Sequence, residues 1–265
     1  MPSMNVLNLE GIGTKSVELP KAFSERVRAD LIGRAVLAEN SLRLQPQGHY
    51  VLAGMQTTAR YYGAMNSWRT GRHMGIAIRP REKLGGGVQG KVKRIPSAVK
   101  GKRAHPHIIE KRITEEMNTR EYQKAITSAI AATAQPAAVQ NQNHAFPIIV
   151  SNEMESLRKT ADVINLIKKL GLEWLLERGS EKTRRKGIRR LTKQKLYKKS
   201  ILIIIKDDNG VSRAARNIPG VDICMVKDMR ANLLAPGGRP GRPTIWSEGA
   251  ISSADNEIKG IRLGR

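Results

Sequence analysis

From about residue 45 to residue 111 the chain shows neither helical nor strand periodicity in its apolar residues, and this limits what it can fold into. Between Arg60 and Arg103 stand twelve Lys or Arg, one acidic residue (Glu82) and eight Gly. No hydrophobic core forms from such a stretch, because the apolar area it can bury does not offset an ordering entropy of about 1–2 kcal/mol per residue. A structureless segment of this length inside a compact domain is uncommon unless it is functional or a partner orders it. The charge points to a partner, and free of that partner the segment is expected to be disordered. Its glycines admit close approach to a sugar-phosphate backbone, its arginines fork onto phosphate oxygens, and Tyr61, Tyr62 and Trp68 offer faces for unpaired bases.

On either side of this segment pattern is present. Residues 5–9 alternate as a short strand, and Phe23, Val27, Leu31, Ala35 and Ala38 recur at helical spacing behind Pro20, which predicts a helix over about 20–40. Ile113, Met117, Tyr122, Ile126, Ala129, Ile130 and Thr133 predict a second helix, with Glu115 and Glu116 in its first turns. Pro147–Val150 reads as a buried strand, followed by a helix over 154–171 capped by Asn152. Ile201–Ile205 is a continuous run with β-branched residues at four of its five positions, the signature of a strand covered on both faces, and is expected at the centre of the sheet. Helical patterns at 211–217 and 228–234 alternate with strands at 221–226 and 243–246. The fold class is therefore α/β, an open, mainly parallel sheet with flanking helices and a long extended basic internal loop. The globular domain takes residues 1–44 and 112–265, and the loop takes 45–111.

Net charge of +24 makes a polyanion the first partner to consider. No apolar run long enough to span a bilayer, no signal-peptide core and no lipidation motif is present, so a membrane partner is not expected and the reading is cytosolic. The single cysteine, Cys224, excludes an internal disulfide and a Cys-rich zinc site, and its apolar surroundings in sequence read as core packing. Gly85, Gly87 and Gly90 fit G-x-G-x-x-G, but neither the preceding strand nor the following helix of a dinucleotide site is visible in the pattern. His105 and His107 flank Pro106 without a nearby carboxylate or thiol cluster, so no metal and no cofactor are expected. No catalytic residue is assigned.

The cationic residues expected to contact RNA fall in two runs and a turn. The first run supplies Arg60, Arg69, Arg72, Arg79, Arg81, Lys83, Lys91, Lys93, Arg94, Lys100, Lys102, Arg103 and His105. The second, over 178–199, sets eleven Lys or Arg against one acid, Glu181, and supplies Arg184, Arg185, Lys186, Arg189, Arg190, Lys193, Lys195, Lys198 and Lys199. The turn Pro236–Arg242 offers Arg239 and Arg242. Basic character alone does not choose between RNA and DNA.

Several strings narrow that choice. Leu19-Pro-Lys-Ala-Phe23, Arg26-Val-Arg-Ala-Asp-Leu-Ile32, Ala53-Gly-Met55, Gly101-Lys-Arg-Ala-His-Pro106, Ala215-Arg-Asn-Ile-Pro-Gly220, Leu234-Ala-Pro-Gly-Gly238 and Pro240-Gly-Arg242 occur in order along nearly the whole chain. Together they closely resemble large-subunit ribosomal protein four in its archaeal and eukaryotic form. The sequence stops soon after its last expected strand and has no long carboxy-terminal extension, which resembles the archaeal members. The resemblance implies a globular domain on the outside of the large subunit. It also implies an internal loop threading ribosomal RNA to the peptide exit tunnel, opposite the loop of ribosomal protein twenty-two. By the same resemblance Trp68, Arg69, Thr70, Gly71 and Arg72 match the loop tip nearest the nascent chain. Spacing between Gly75 and Lys91 departs from the family pattern, which leaves the narrowest point open.

The reading is thus a structural, non-enzymatic constituent of the large ribosomal subunit. Its partners would be large-subunit RNA, neighbouring ribosomal proteins and the nascent polypeptide. Two alternatives remain open at this stage: an RNA-modifying α/β enzyme with a basic recruiting arm, and an architectural DNA-binding protein.

Overall fold

The computed structural model describes residues 3–66, 72, 74–86, 88–134, 146–183 and 196–263. It divides into two units: Met1–Arg43 together with Thr114–Arg265, and Leu44–Ile113. In chain order the strands are β1 (Ser3–Leu7), β2 (Gly13–Glu18), β3 (Arg81–Lys83), β4 (Gln89–Val92), β5 (Ile148–Val150), β6 (Lys182–Thr183), β7 (Leu196–Tyr197), β8 (Leu202–Ile205), β9 (Asp222–Met225) and β10 (Thr244–Ser247). The helices are α1 (Ala29–Leu42), α2 (Thr119–Ala134), α3 (Thr160–Lys169), α4 (Glu173–Ser180), α5 (Val211–Ala215), α6 (Ala231–Leu234) and α7 (Glu248–Ile258).

The first unit is built on a six-stranded sheet in the order β2-β1-β5-β10-β8-β9. Only β1 and β2 pair antiparallel; every other pairing is parallel. Strand alternation sends side chains to two cores. Val6, Ile149, Trp246, Leu202 and Ile204 pack with α1, α2, α6 and α7 on one face. Ile148, Val150, Ile203, Ile205 and Ile245 pack with α3, α4 and α5 on the other. Trp246 is wholly buried and meets the Phe23 ring edge-on at 5.3 Å. An α/β architecture with a mainly parallel sheet is what the alternating pattern predicts.

Several boundaries differ from the sequence expectation, each for a visible reason. The helix expected from residue 20 is a short 3₁₀ turn at Lys21–Ser24, an extended stretch, and then α1. The Arg28 N–H donates to Ser128 Oγ at 2.6 Å, and that hydroxyl donates to the Arg26 carbonyl at 3.2 Å, which holds the intervening backbone out of helix. The second helix begins at Thr119 rather than 113, and before it the Glu115 N–H is taken by Ser41 Oγ at 2.9 Å. Asn152 does not cap α3; it lies in a 3₁₀ turn, and its Oδ1 accepts the Gly249 N–H at 2.7 Å at the start of α7. α3 stops at Gly171, whose φ of +72° closes the helix with the Leu172 N–H bonded to the Ile167 carbonyl. β8 is buried at every position and interior to the sheet, but β5 and β10 hold the middle. After β10 comes the eleven-residue α7, which the sequence expectation did not include, with Ser247 Oγ accepting the Ala250 N–H.

Buried acids knit this unit together. The carboxylate of Glu39 on α1 accepts the Tyr122 hydroxyl at 2.7 Å and the N–H groups of Ala231 and Asn232 at 2.7 and 3.0 Å. It thereby joins α1, α2 and the first turn of α6. Glu155 accepts Ser247 Oγ at 2.6 Å and the Lys206 N–H at 2.8 Å, tying its 3₁₀ turn to the ends of β8 and β10.

Candidate nucleic-acid interface

The unit Leu44–Ile113 has almost no interior. Among its described residues only Ala59 is buried, while Tyr50, Val51, Met65, Ile78, Val99 and Ile109 stand largely in solvent. Its order comes from hydrogen bonds and backbone packing. β3 and β4 form an antiparallel hairpin, and Arg81 also bridges to Arg60. The Lys93 N–H donates to the Pro80 carbonyl at 3.1 Å, and Arg94 Nη1 to the Ala59 carbonyl at 3.3 Å. The His49 N–H reaches the His107 carbonyl at 3.2 Å and clips the two ends of the segment together. Gly54, with φ of +77°, lies against the Gly101 carbonyl where a Cβ would overlap it. Two of the family-like strings, Ala53-Gly-Met55 and Gly101-Lys-Arg-Ala-His-Pro106, therefore meet backbone to backbone, which requires glycine at 54, while Gly101 is required by the Ile95 carbonyl against which its own Cβ would lie.

Cations cover this unit. Arg60, Arg72, Arg79, Lys83, Lys91, Lys100, Lys102, Arg103 and His105 are exposed, and Arg81, Lys93 and Arg94 are half-buried. Only Lys93 among them is drawn to the single acid of the run, with Nζ 3.6 Å from Glu82. Lys83 Nζ sits 4.0 Å from the centre of the Tyr62 ring. The Gly85-Gly86 pair lies at the hairpin turn, so the G-x-G-x-x-G pattern belongs to a β-hairpin and not to a strand–helix phosphate cradle. Trp68, Arg69, Thr70 and Gly71 lie outside the described residues.

For the second run, β6 and β7 pair antiparallel and bring Thr183 beside Leu196. Arg184, Arg185, Lys186, Arg189, Arg190, Lys193 and Lys195 lie outside the described residues. Lys198 pairs with Glu181, and Lys199 Nζ lies 2.6 Å from Asp222. Both lysines remain about half exposed, so these surface pairs are weak competitors for a phosphate.

Arg242 corrects the sequence reading. It is 4% exposed, and its guanidinium is spent inside the fold. Nε donates to the Ser200 carbonyl at 3.0 Å, Nη1 to Leu233 at 2.8 Å, and Nη2 to Ile201 at 2.9 Å and to the Asp222 carboxylate at 2.7 Å. Buried to this extent, the guanidinium is not presented to a phosphate. Burial pushes both charges toward neutrality, yet the Lys199 hydrogen bond and the Arg242 charge hold Asp222 below its ordinary value. Arg239, three residues away, is exposed. What sequence reasoning missed here is Asp222, whose partner lies twenty residues away in a neighbouring segment. It also missed the β3–β4 hairpin, for which the triple glycine between two short polar runs was the available signal.

Little else resembles a reactive site. Burial pushes the Cys224 thiol up to about 12, so it stays protonated and inert. Among the described residues no group of three or more His, Cys, Asp or Glu is placed to hold a metal, and no helix is long and apolar enough to cross a membrane.

A doubly covered parallel sheet carrying a core-free cationic extension defines a class: the α/β proteins that present basic chain to a polyanion. Comparison with known proteins makes the assignment specific. The family model described as the Ribosomal protein L4/L1 family matches residues 17–257. Similar proteins include the large ribosomal subunit protein uL4 of Archaeoglobus fulgidus, 41% identical over 252 residues, covering 93% of this chain and 95% of that protein. The uL4 proteins of Methanocaldococcus jannaschii and Methanococcoides burtonii are each 39% identical, covering 93% and 96% of this chain and 95% and 98% of their own lengths. The chain belongs to the ribosomal protein L4/L1 family.

Proposed function

We propose that this chain is a structural constituent of the large ribosomal subunit in the cytoplasm, that it binds large-subunit ribosomal RNA and neighbouring ribosomal proteins, and that it catalyses no reaction. One observation carries the reading: the unit Leu44–Ile113 has a single buried residue among those described and a cationic surface, so it needs a polyanion to complete it. Family membership supplies the identity of that polyanion.

The finer reading places the 45–111 extension through RNA toward the peptide exit tunnel. Residues Trp68–Arg72 then lie nearest the nascent chain and opposite ribosomal protein twenty-two. Support comes from the resemblance of the loop strings and from the His49–His107 clip, which makes the segment one continuous excursion from its base. The phosphate-contacting set is the one read from sequence, less Arg242.

The test is assembly. The full chain should co-sediment with large subunits in moderate salt, and a density map of the assembled particle should show residues 45–111 within RNA. Sedimentation free of subunits would overturn the ribosomal reading; a map with the extension on the outer surface would overturn the tunnel assignment alone.

A further inference from the structure

Within the extension, the β3–β4 hairpin and the chain at residues 60–62 enclose a cleft of about 520 Å³, walled by Tyr61, Tyr62, Arg79, Arg81, Lys83 and Gln89 among others. We infer that this cleft takes a single unstacked nucleobase of the RNA, stacked on a tyrosine ring with its phosphate on the arginines. The inference rests on the RNA-binding reading and deepens it.

Four features bear on it. First, the volume suits one base with its sugar and is far too small for a helix. Second, two tyrosines stand side by side at 37% and 45% exposure in a chain with only 4% aromatic residues, so these rings are neither core nor dispersed surface. The Lys83 ammonium over Tyr62 fixes that ring and leaves a cation on the same wall. Third, Arg81 Nε is shielded from solvent and has no hydrogen-bond partner among the described residues, a state that a buried donor tolerates poorly. Its backbone is pinned by Arg60 and by β4, and Nη2 reaches the Ala77 carbonyl only at 3.5 Å, so the guanidinium is held at the cleft wall with donor capacity to spare. Fourth, the Gln89 amide donates from Nε2 to the Met74 sulfur at 3.8 Å, a weak acceptor that a base edge can displace. Stacking surface, phosphate donors and an edge-reading amide converge on one cleft, the combination by which single-stranded RNA is recognised.

Stacking and phosphate contact differ in their salt dependence, and this makes the inference testable. Binding of the full chain to deproteinised large-subunit RNA is measured by filter retention across salt concentrations for the wild type, for Tyr61→Ala/Tyr62→Ala and for Tyr61→Phe/Tyr62→Phe. The alanine pair should weaken binding roughly 5- to 150-fold with the log-log salt slope unchanged, and the phenylalanine pair should retain wild-type affinity. Unchanged affinity in the alanine pair overturns the base cleft while leaving RNA binding intact. A loss accompanied by a slope flattened by about 0.7 or more means that the tyrosines only place cations, and also overturns it. Absence of wild-type binding defeats the RNA reading itself.

Discussion

Arg242 and Asp222 meet at 2.7 Å within the globular unit, and the arginine side chain retains 2% of its exposure. Removing the guanidinium takes a donor from the Asp222 carboxylate, which keeps only its exposed partner Lys199, and from the carbonyls of Ser200, Ile201 and Leu233. Breaking a buried pair from one side costs about 3–5 kcal/mol. Arg242→Met is therefore expected to lower the urea midpoint by that free energy at an unchanged m-value. The salt slope of RNA binding should not move, whereas Arg239→Gln should flatten it without changing the midpoint.

Acid sensitivity follows from the same pair. Asp222 is held below its ordinary value in the folded state, so its contribution to stability is full above the unfolded carboxylate value of about 3.9 and is lost as pH falls through the lower folded value. Thermal melting between pH 2 and 6 should show a steeper acid decline in the wild type than in Asp222→Asn. Coincident curves below pH 4 would show that the carboxylate has the same affinity for protons folded and unfolded.

Glu39 on α1 makes a parallel prediction. Its carboxylate is the acceptor for Tyr122 and for two N–H groups of α6, and the burial of Tyr122, followed by the hydrogen bond to Glu39 and its charge, raises the Tyr122 phenol above its ordinary value. Glu39→Ala leaves buried donors unmet, at about 1–3 kcal/mol for each such group. Tyr122→Phe removes one donor and leaves α6 capped, so it should cost distinctly less. Chemical denaturation of both variants measures the difference.

The extension should behave differently from the domain that bears it. With Ala59 as its only buried described residue, the 44–113 unit offers amides little beyond local hydrogen bonds. Hydrogen exchange in the free protein should show amides of 44–113 exchanging orders of magnitude faster than those of β5, β8 and β10. Ribosomal RNA should slow them selectively. Comparable protection in both units before RNA is added would contradict the core-free description.

Much of this was legible in the residues. Strands with no polar face announce themselves, so Ile148–Val150 and Leu202–Ile205 could be read as buried parallel strands, and the sheet followed from their alternation with helices. α7 went unread, although Ala250, Ala254 and Ile258 recur every fourth residue behind Ser247. The β3–β4 hairpin was not legible, because Arg81-Glu-Lys83 and Gln89-Gly-Lys-Val92 carry little strand propensity and pair through backbone alone. Nor was the fate of Arg242: an arginine in a glycine-proline turn of a cationic chain looks like a phosphate ligand, and only the fold brings Asp222 and three carbonyls around it. Long-range pairing is what a single sequence hides, and it decided which cations are scaffold and which remain free.

The clip between His49 and His107 bears on assembly order. α1 and α2 pack on each other although the whole excursion separates them, and the entropic penalty for closing so long a loop grows only by about 0.6 kcal/mol per doubling of its length. The globular unit can therefore reach its native packing while the excursion is still without a partner. The packed domain is then available before the excursion finds its partner, so the order of the two events is set by the chain and not by the partner.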